Sequence, residues 1–127
     1  MAINKKHVFI VDDDESMCRA LGILLETYNF NVDTFTSAKE FFRVVPDNVS
    51  GCLILDIHMP GLDGWEALKR IVDSGSNRPV ILISADKNRG LDRKALIAGA
   101  RGYLQKPFND QALIDLINSA IKKKGEE

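Results

Sequence analysis

Residues 7–14 read His7-Val8-Phe9-Ile10-Val11-Asp12-Asp13-Asp14, an apolar run that stops on three successive acids. A short apolar run without polar alternation fits a strand covered on both faces, as in a parallel sheet between two helix layers. Three more runs end in the same manner. Cys52-Leu53-Ile54-Leu55 stops at Asp56, Val80-Ile81-Leu82-Ile83 at Ser84, and Tyr103-Leu104-Gln105 at Lys106, which precedes Pro107. If these runs are parallel neighbours, their ends meet at one edge of the sheet. Carboxylates, a hydroxyl and an ammonium then share a pocket, which is the equipment for holding a divalent metal and handling a phosphoryl group.

Helix-like segments separate the runs. Met17, Ala20, Leu21, Leu24 and Tyr28 recur at helical spacing after the first run. Asn31–Phe35 reads as a short second strand, and Ser37-Ala38-Lys39-Glu40 is a capping-box pattern opening a helix that carries Phe41, Phe42 and Val45 and stops at Pro46. The loop Ile57-His58-Met59-Pro60-Gly61-Leu62-Asp63-Gly64 follows the third strand. It leads to a helix with Trp65, Leu68, Ile71 and Val72 that ends near Gly75. The next helix is expected from about Lys87 to Ala98, with Gly99 at its end, and the last carries Leu113, Leu116, Ile117, Ala120 and Ile121 behind an Asn109 cap.

Strand and helix alternating five times predict an α/β fold with a parallel sheet and helices on both faces. Runs one, three and four are apolar throughout and fit the centre. Asn31–Phe35 and Tyr103–Gln105 contain polar residues and fit the edges. The expected order is 2-1-3-4-5, the flavodoxin-like doubly wound five-stranded sheet with five helices, whose ligands bind beyond the strand ends where the winding reverses. Asp12, Asp13 and Asp56 fall at that place. No linker, repeat or second domain is visible, so a single domain over residues 1–127 is expected.

Bulk properties exclude several classes. The chain has 127 residues, 45% apolar and 28% charged, with a net charge of -1 and a pI of about 6.1. That balance gives no drive toward nucleic acid or an anionic membrane. The apolar stretches are too short to span a bilayer. The segment Met1-Ala2-Ile3-Asn4-Lys5-Lys6 lacks an apolar signal with a cleavage site, so a cytoplasmic address is expected. Cys18 and Cys52 have no paired spacing and read as reduced, buried thiols. Lys122-Lys123-Lys124 read as favourable charge closing the last helix.

Each polar strand end has a plain reading when taken alone. An Asp after a strand is usually a helix cap, and Asp14, nearest the helix start, is the expected one. Ser84 alone reads as a turn residue, Lys106 as a surface charge and Pro107 as a helix-start proline. The combination is different. An unpaired charge at the end of an apolar run is costly, and Asp12 and Asp13 would crowd Asp56 with like charge. A Mg²⁺ ion resolves the conflict, because it takes carboxylates, a carbonyl, waters and a phosphate oxygen.

Val11-Asp12-Asp13, Asp56-Ile57-His58-Met59-Pro60-Gly61-Leu62-Asp63-Gly64, Ser84-Ala85 and Lys106-Pro107-Phe108, in that order on those elements, resemble the receiver domain of two-component response regulators. The resemblance runs from about His7 to Ile121. It implies that Asp56 is the phosphoacceptor, taking a phosphoryl group from a phosphohistidine on a sensor histidine kinase or phosphotransfer protein. Asp13 and Asp56 would ligate Mg²⁺ directly, with the backbone carbonyl of His58 as third protein ligand and Asp12 acting through metal-bound water. Ser84 matches the switch hydroxyl, Lys106 the site lysine, with a cis bond expected to Pro107, and Tyr103 the aromatic switch. Ser84 and Tyr103 moving inward would remodel the face of the fourth helix, fifth strand and fifth helix, toward which an output domain, an output protein or a phosphorylation-dependent homodimer partner would turn.

His58 and Asp86 lie two residues past Asp56 and Ser84 and are expected to set the lifetime of the phosphorylated state. His58 is not a ring ligand, since hard cations prefer oxygen. His7 reads as a strand residue. Trp65 reads as packing whose fluorescence can still report metal binding. No direct nucleic-acid binding and no enzyme activity beyond its own phosphorylation and dephosphorylation are expected. Three alternatives stand beside this reading. A phosphohydrolase with a strand-end Asp nucleophile would carry an acid two residues later, where this chain has His58. A flavin module would need a Ser/Thr/Gly-rich loop where this chain has Asp12-Asp13-Asp14-Glu15. A degenerate receiver used only for docking would not need the set Asp12, Asp13, Asp56, Ser84 and Lys106.

Overall fold

The computed structural model describes residues 5–122. Five strands, β1 (His7–Val11), β2 (Asn31–Phe35), β3 (Cys52–Asp56), β4 (Val80–Ser84) and β5 (Gly102–Gln105), alternate with α1 (Glu15–Thr27), α2 (Ala38–Val44), α3 (Gly64–Asp73), α4 (Leu91–Ala98) and α5 (Asp110–Ile121). All neighbouring strands are parallel, in the order β2-β1-β3-β4-β5. This is the doubly wound arrangement expected from the apolar central runs and polar edge runs.

Side chains alternate across the pleat, so each central strand feeds two cores. Phe9, Val11, Leu53, Leu55, Val80 and Leu82 face α2, α3 and α4, where they meet Phe41, Leu68, Ile71 and Ala95. Val8, Ile10, Cys52, Ile54, Ile81 and Ile83 face α1 and α5, where they meet Leu21, Leu25, Leu113 and Ile117. Both cysteines are buried and free.

Register sets the site. Val11 stands opposite Leu55, so Asp12 and Asp56 leave the sheet at the same level. Asp56 stands opposite Ile83, one residue before Ser84, and Ser84 stands opposite Gln105, one residue before Lys106. Backbone bonds continue past the strand ends, from Ile57 N–H to Ile83 O at 2.9 Å and from Lys106 N–H to Ser84 O at 2.7 Å.

Some local expectations need correction. The fourth helix starts at Leu91, not near Lys87. Gly90 before it has φ +85°, a left-handed conformation that does not continue a helix, and the Asp86 carboxylate captures Asn88 N–H at 2.9 Å as a turn. At α2, Ser37 Oγ accepts from Glu40 N–H at 3.1 Å, but the Glu40 carboxylate pairs with Arg43 at 3.1 Å and only half of the capping box forms. Val72 and Tyr28, counted in apolar stripes, are exposed. Lys122 is the cap residue of α5, while Lys123 and Lys124 lie outside the described residues, as does Met1–Asn4.

Candidate functional site

The loop after β1 presents the acids to three different environments. Asp12 is fully buried, and both of its oxygens are engaged. Its Oδ2 accepts from Lys106 Nζ at 2.8 Å and its Oδ1 from Asp14 N–H at 3.0 Å. Asp13 is exposed. Asp14 caps α1 by accepting from Ser16 N–H at 2.9 Å and Met17 N–H at 3.2 Å, the cap role expected of it.

Asp56 ends β3 with only 5% of its surface exposed. Lys106 Nζ lies 3.8 Å from its Oδ1. Burial, and then the Asp12 charge, push the Asp56 carboxyl up to about 6, against the pull of Lys106 and a hydrogen bond from the His58 backbone N–H. Lys106 shows the converse balance. Burial alone would lower its pKa, but the bond to Asp12 and the charges of Asp12 and Asp56 outweigh it and hold the ammonium above its ordinary value. One cation thus faces a crowded set of carboxylates. Asp12, Asp13 and Asp56 each offer an oxygen within 4.8 Å of the others. That donor set is all hard oxygen, carries excess negative charge and suits Mg²⁺ better than a soft metal. Because Asp12 is already bonded twice, Asp13 and Asp56 keep the larger capacity for direct ligation.

Ser84 is fully buried at the end of β4, and its Oγ accepts from Asp86 N–H at 2.9 Å. Tyr103 is half-buried against the α2–α3–α4 core. Its hydroxyl donates to Asp86 O at 3.4 Å, and burial raises its pKa. The bond from Lys106 to Pro107 is cis, as expected. The shared role expected of His58 and Asp86 did not include their contact: the His58 Nε2 stands 3.3 Å from Asp86 Oδ2. The signal for this contact was present: the two residues sit at the same offset past the ends of adjacent parallel strands. Gly64, read only as part of a loop, closes that loop by donating its N–H to Ile57 O at 2.8 Å.

The response regulator receiver domain family model matches residues 8–118. This chain belongs to the response regulator receiver domain family. Such receivers bind Mg²⁺ at an acidic pocket and interact with histidine kinases and output domains. Among similar proteins, transcriptional regulatory protein FixJ of Bradyrhizobium diazoefficiens is 37% identical over 119 residues, covering 94% of this chain and 58% of that protein. Response regulator protein TodT of Pseudomonas putida is 34% identical over 115 residues, covering 91% of this chain and 51% of that protein. A crystal structure of a response regulator receiver protein from Burkholderia phymatum matches with a TM-score of 0.81 at 42% identity, covering 92% of this chain and 95% of that one. The chain therefore spans about half the length of the curated relatives it matches. No helix among the described residues is long and apolar enough to cross a membrane.

Proposed function

We propose that residues 1–127 form one receiver domain acting as a Mg²⁺-dependent phosphoacceptor switch in the cytoplasm, with Asp56 as the acceptor. The observation that carries this is the buried Asp56 carboxylate at a strand end, 3.8 Å from the Lys106 ammonium and within a cluster of three acids. Asp13, Asp56 and the His58 backbone carbonyl would hold the ion, with Asp12 contributing through its water. Bound there, Mg²⁺ supplies positive charge against the phosphoryl oxygens.

In the reaction, an Asp56 carboxylate oxygen attacks phosphorus of a phosphohistidine on a sensor histidine kinase or phosphotransfer protein. The P–N bond breaks, the O–P bond forms, and the departing imidazole leaves neutral once it is protonated. Lys106 offsets the charge that accumulates on the phosphoryl oxygens, and the Ser84 hydroxyl donates to one of them. Water attack on the acyl phosphate returns phosphate and the free carboxylate. The domain acts on its own side chain and on no separate substrate.

Transmission outward runs through Asp86, which bonds Ser84 by its N–H and Tyr103 by its carbonyl. A turn of Ser84 toward the phosphoryl group displaces that segment and with it the Tyr103 ring. The α4–β5–α5 face then changes for its output domain or protein, or for a second copy. His58 and Asp86 flank the approach of water and set the phosphoryl lifetime.

The test is incubation with Mg²⁺ and phosphoramidate, followed by intact mass. One phosphoryl adduct is expected, lost on chelation and lost in Asp56→Asn. An adduct that persists in Asp56→Asn defeats the assignment, and no adduct from any phosphodonor or kinase makes the domain a docking module.

A further inference from the structure

We propose that Gly64 is a positioning residue for the phosphoacceptor, because its missing side chain lets the start of α3 seat directly on the Asp56–Ile57 peptide. The proposal rests on the reading of Asp56 as acceptor. A Cβ at Gly64 would lie 2.6 Å from the Asp56 carbonyl oxygen, 2.6 Å from Ile57 Cα and 3.1 Å from the Asp56 carbonyl carbon. These are backbone atoms, which cannot swing aside as a side chain can. The φ of Gly64 is not positive, so what the site requires is the close approach and not a special backbone conformation.

Ile57 is held at both ends of its backbone. Its N–H donates to Ile83 O of β4 at 2.9 Å, and its carbonyl accepts from Gly64 N–H at 2.8 Å. The helix is also fixed where it begins. Asp63 accepts from Glu66 N–H at 2.9 Å, while the Glu66 carboxylate accepts from Asp63 N–H at 3.2 Å, a complete capping box. The Trp65 ring lies under Lys94 Nζ of α4 at 4.3 Å, which holds α3 against its neighbour. An added methyl group therefore forces the start of α3 and the Asp56–Ile57 peptide apart. As that peptide gives, the Asp56 carboxylate and the His58 carbonyl leave their places together.

A misplacement of about 1 Å at a reacting group costs on the order of a hundredfold in rate. Gly64→Ala is therefore expected to lower the maximal phosphoramidate-driven phosphorylation rate by roughly tenfold to a hundredfold, with the half-saturating phosphodonor concentration unchanged. Mg²⁺ affinity, measured by direct titration without phosphodonor, falls as well. In metal-free protein the amide resonances of Asp56, Ile57 and His58 shift, while those of β1 and α5 away from the site stay in place. If the variant folds poorly, the same substitution is made in a Gly22→Ala background, where an added methyl is accommodated. A folded Gly64→Ala protein with parental rate, parental Mg²⁺ affinity and amide shifts confined to α3 overturns the proposal. Absence of an adduct in the parent itself would count against the acceptor reading, and the amide and Mg²⁺ measurements would still decide the role of Gly64.

Discussion

Asp86 touches three parts of the site at once: its carboxylate meets the His58 ring, its N–H holds Ser84 Oγ and its carbonyl accepts from Tyr103. The pair with His58 is exposed on the histidine side, and such pairs contribute little to stability, about 0.2–1 kcal/mol. Its consequence is kinetic. His58→Ala and Asp86→Ala should each change the dephosphorylation rate severalfold while moving the unfolding midpoint only slightly. The double variant should depart from the product of the single effects; unchanged rates, or strict multiplicativity, would show that the two residues do not act as a pair. A second residue-scale expectation concerns Cys52. Burial pushes its thiol up to about 12 from an ordinary 9.0, so the folded state holds the proton more tightly than the unfolded chain. Its stabilising contribution is therefore complete below about pH 9 and is lost as pH rises toward 12. Native Cys52 should resist alkylation at pH 9 and react on denaturation. The fall in stability across that window should be shallower in Cys52→Ala, and an equal slope would contradict the shift.

At the scale of elements, α1 carries a glycine in its middle. Gly22 is buried, and a Cβ there would meet only Thr34 Cγ2 and Val32 Cγ1, both at 3.9 Å, an ordinary contact. Glycine inside a helix costs roughly 0.5–1 kcal/mol relative to alanine. Gly22→Ala should accordingly raise the unfolding free energy by about 1 kcal/mol in denaturant titration, whereas a loss would reveal crowding between α1 and β2. Element boundaries were legible where local chemistry was unopposed. The Asp14 and Asn109 caps and the αL glycine at Gly99 follow from residue type alone. The start of α4 was not legible, because the Asp86 turn and the conformation of Gly90 override helix-compatible residues between them. Capping boxes misled in both directions. Ser37–Glu40 forms half of one because Arg43 competes for Glu40, while Asp63–Glu66, complete in the structure, was hidden inside a loop motif. Arg78 gave no signal either: it is buried, donating to Pro46 O and Val49 O at 3.0 and 2.6 Å over the rings of Phe9 and Phe41.

For the whole molecule, strand order was legible because central strands of a parallel sheet must be apolar on both faces. The chain meets that condition in β1, β3 and β4 and breaks it in β2 and β5. Once the order is fixed, register carries Asp12, Asp56, Ser84 and Lys106 to one edge. The Asp14 cap was readable, but the split between Asp12 and Asp13 was not readable from residue type. Asp12 is buried and paired, Asp13 is open and Asp14 is a cap, though the three are consecutive. The approach of Gly64 to the Asp56 carbonyl depends on three-dimensional closure of the loop and appears only in the folded chain. The central claim is that an acyl phosphate forms on Asp56 and nowhere else. Borohydride reduction of the phosphorylated protein converts such an acyl phosphate to homoserine, which peptide sequencing by mass spectrometry can place. Homoserine at position 56 alone is the predicted result; homoserine at position 12 or 13, or a phosphoryl group that resists borohydride, would contradict it.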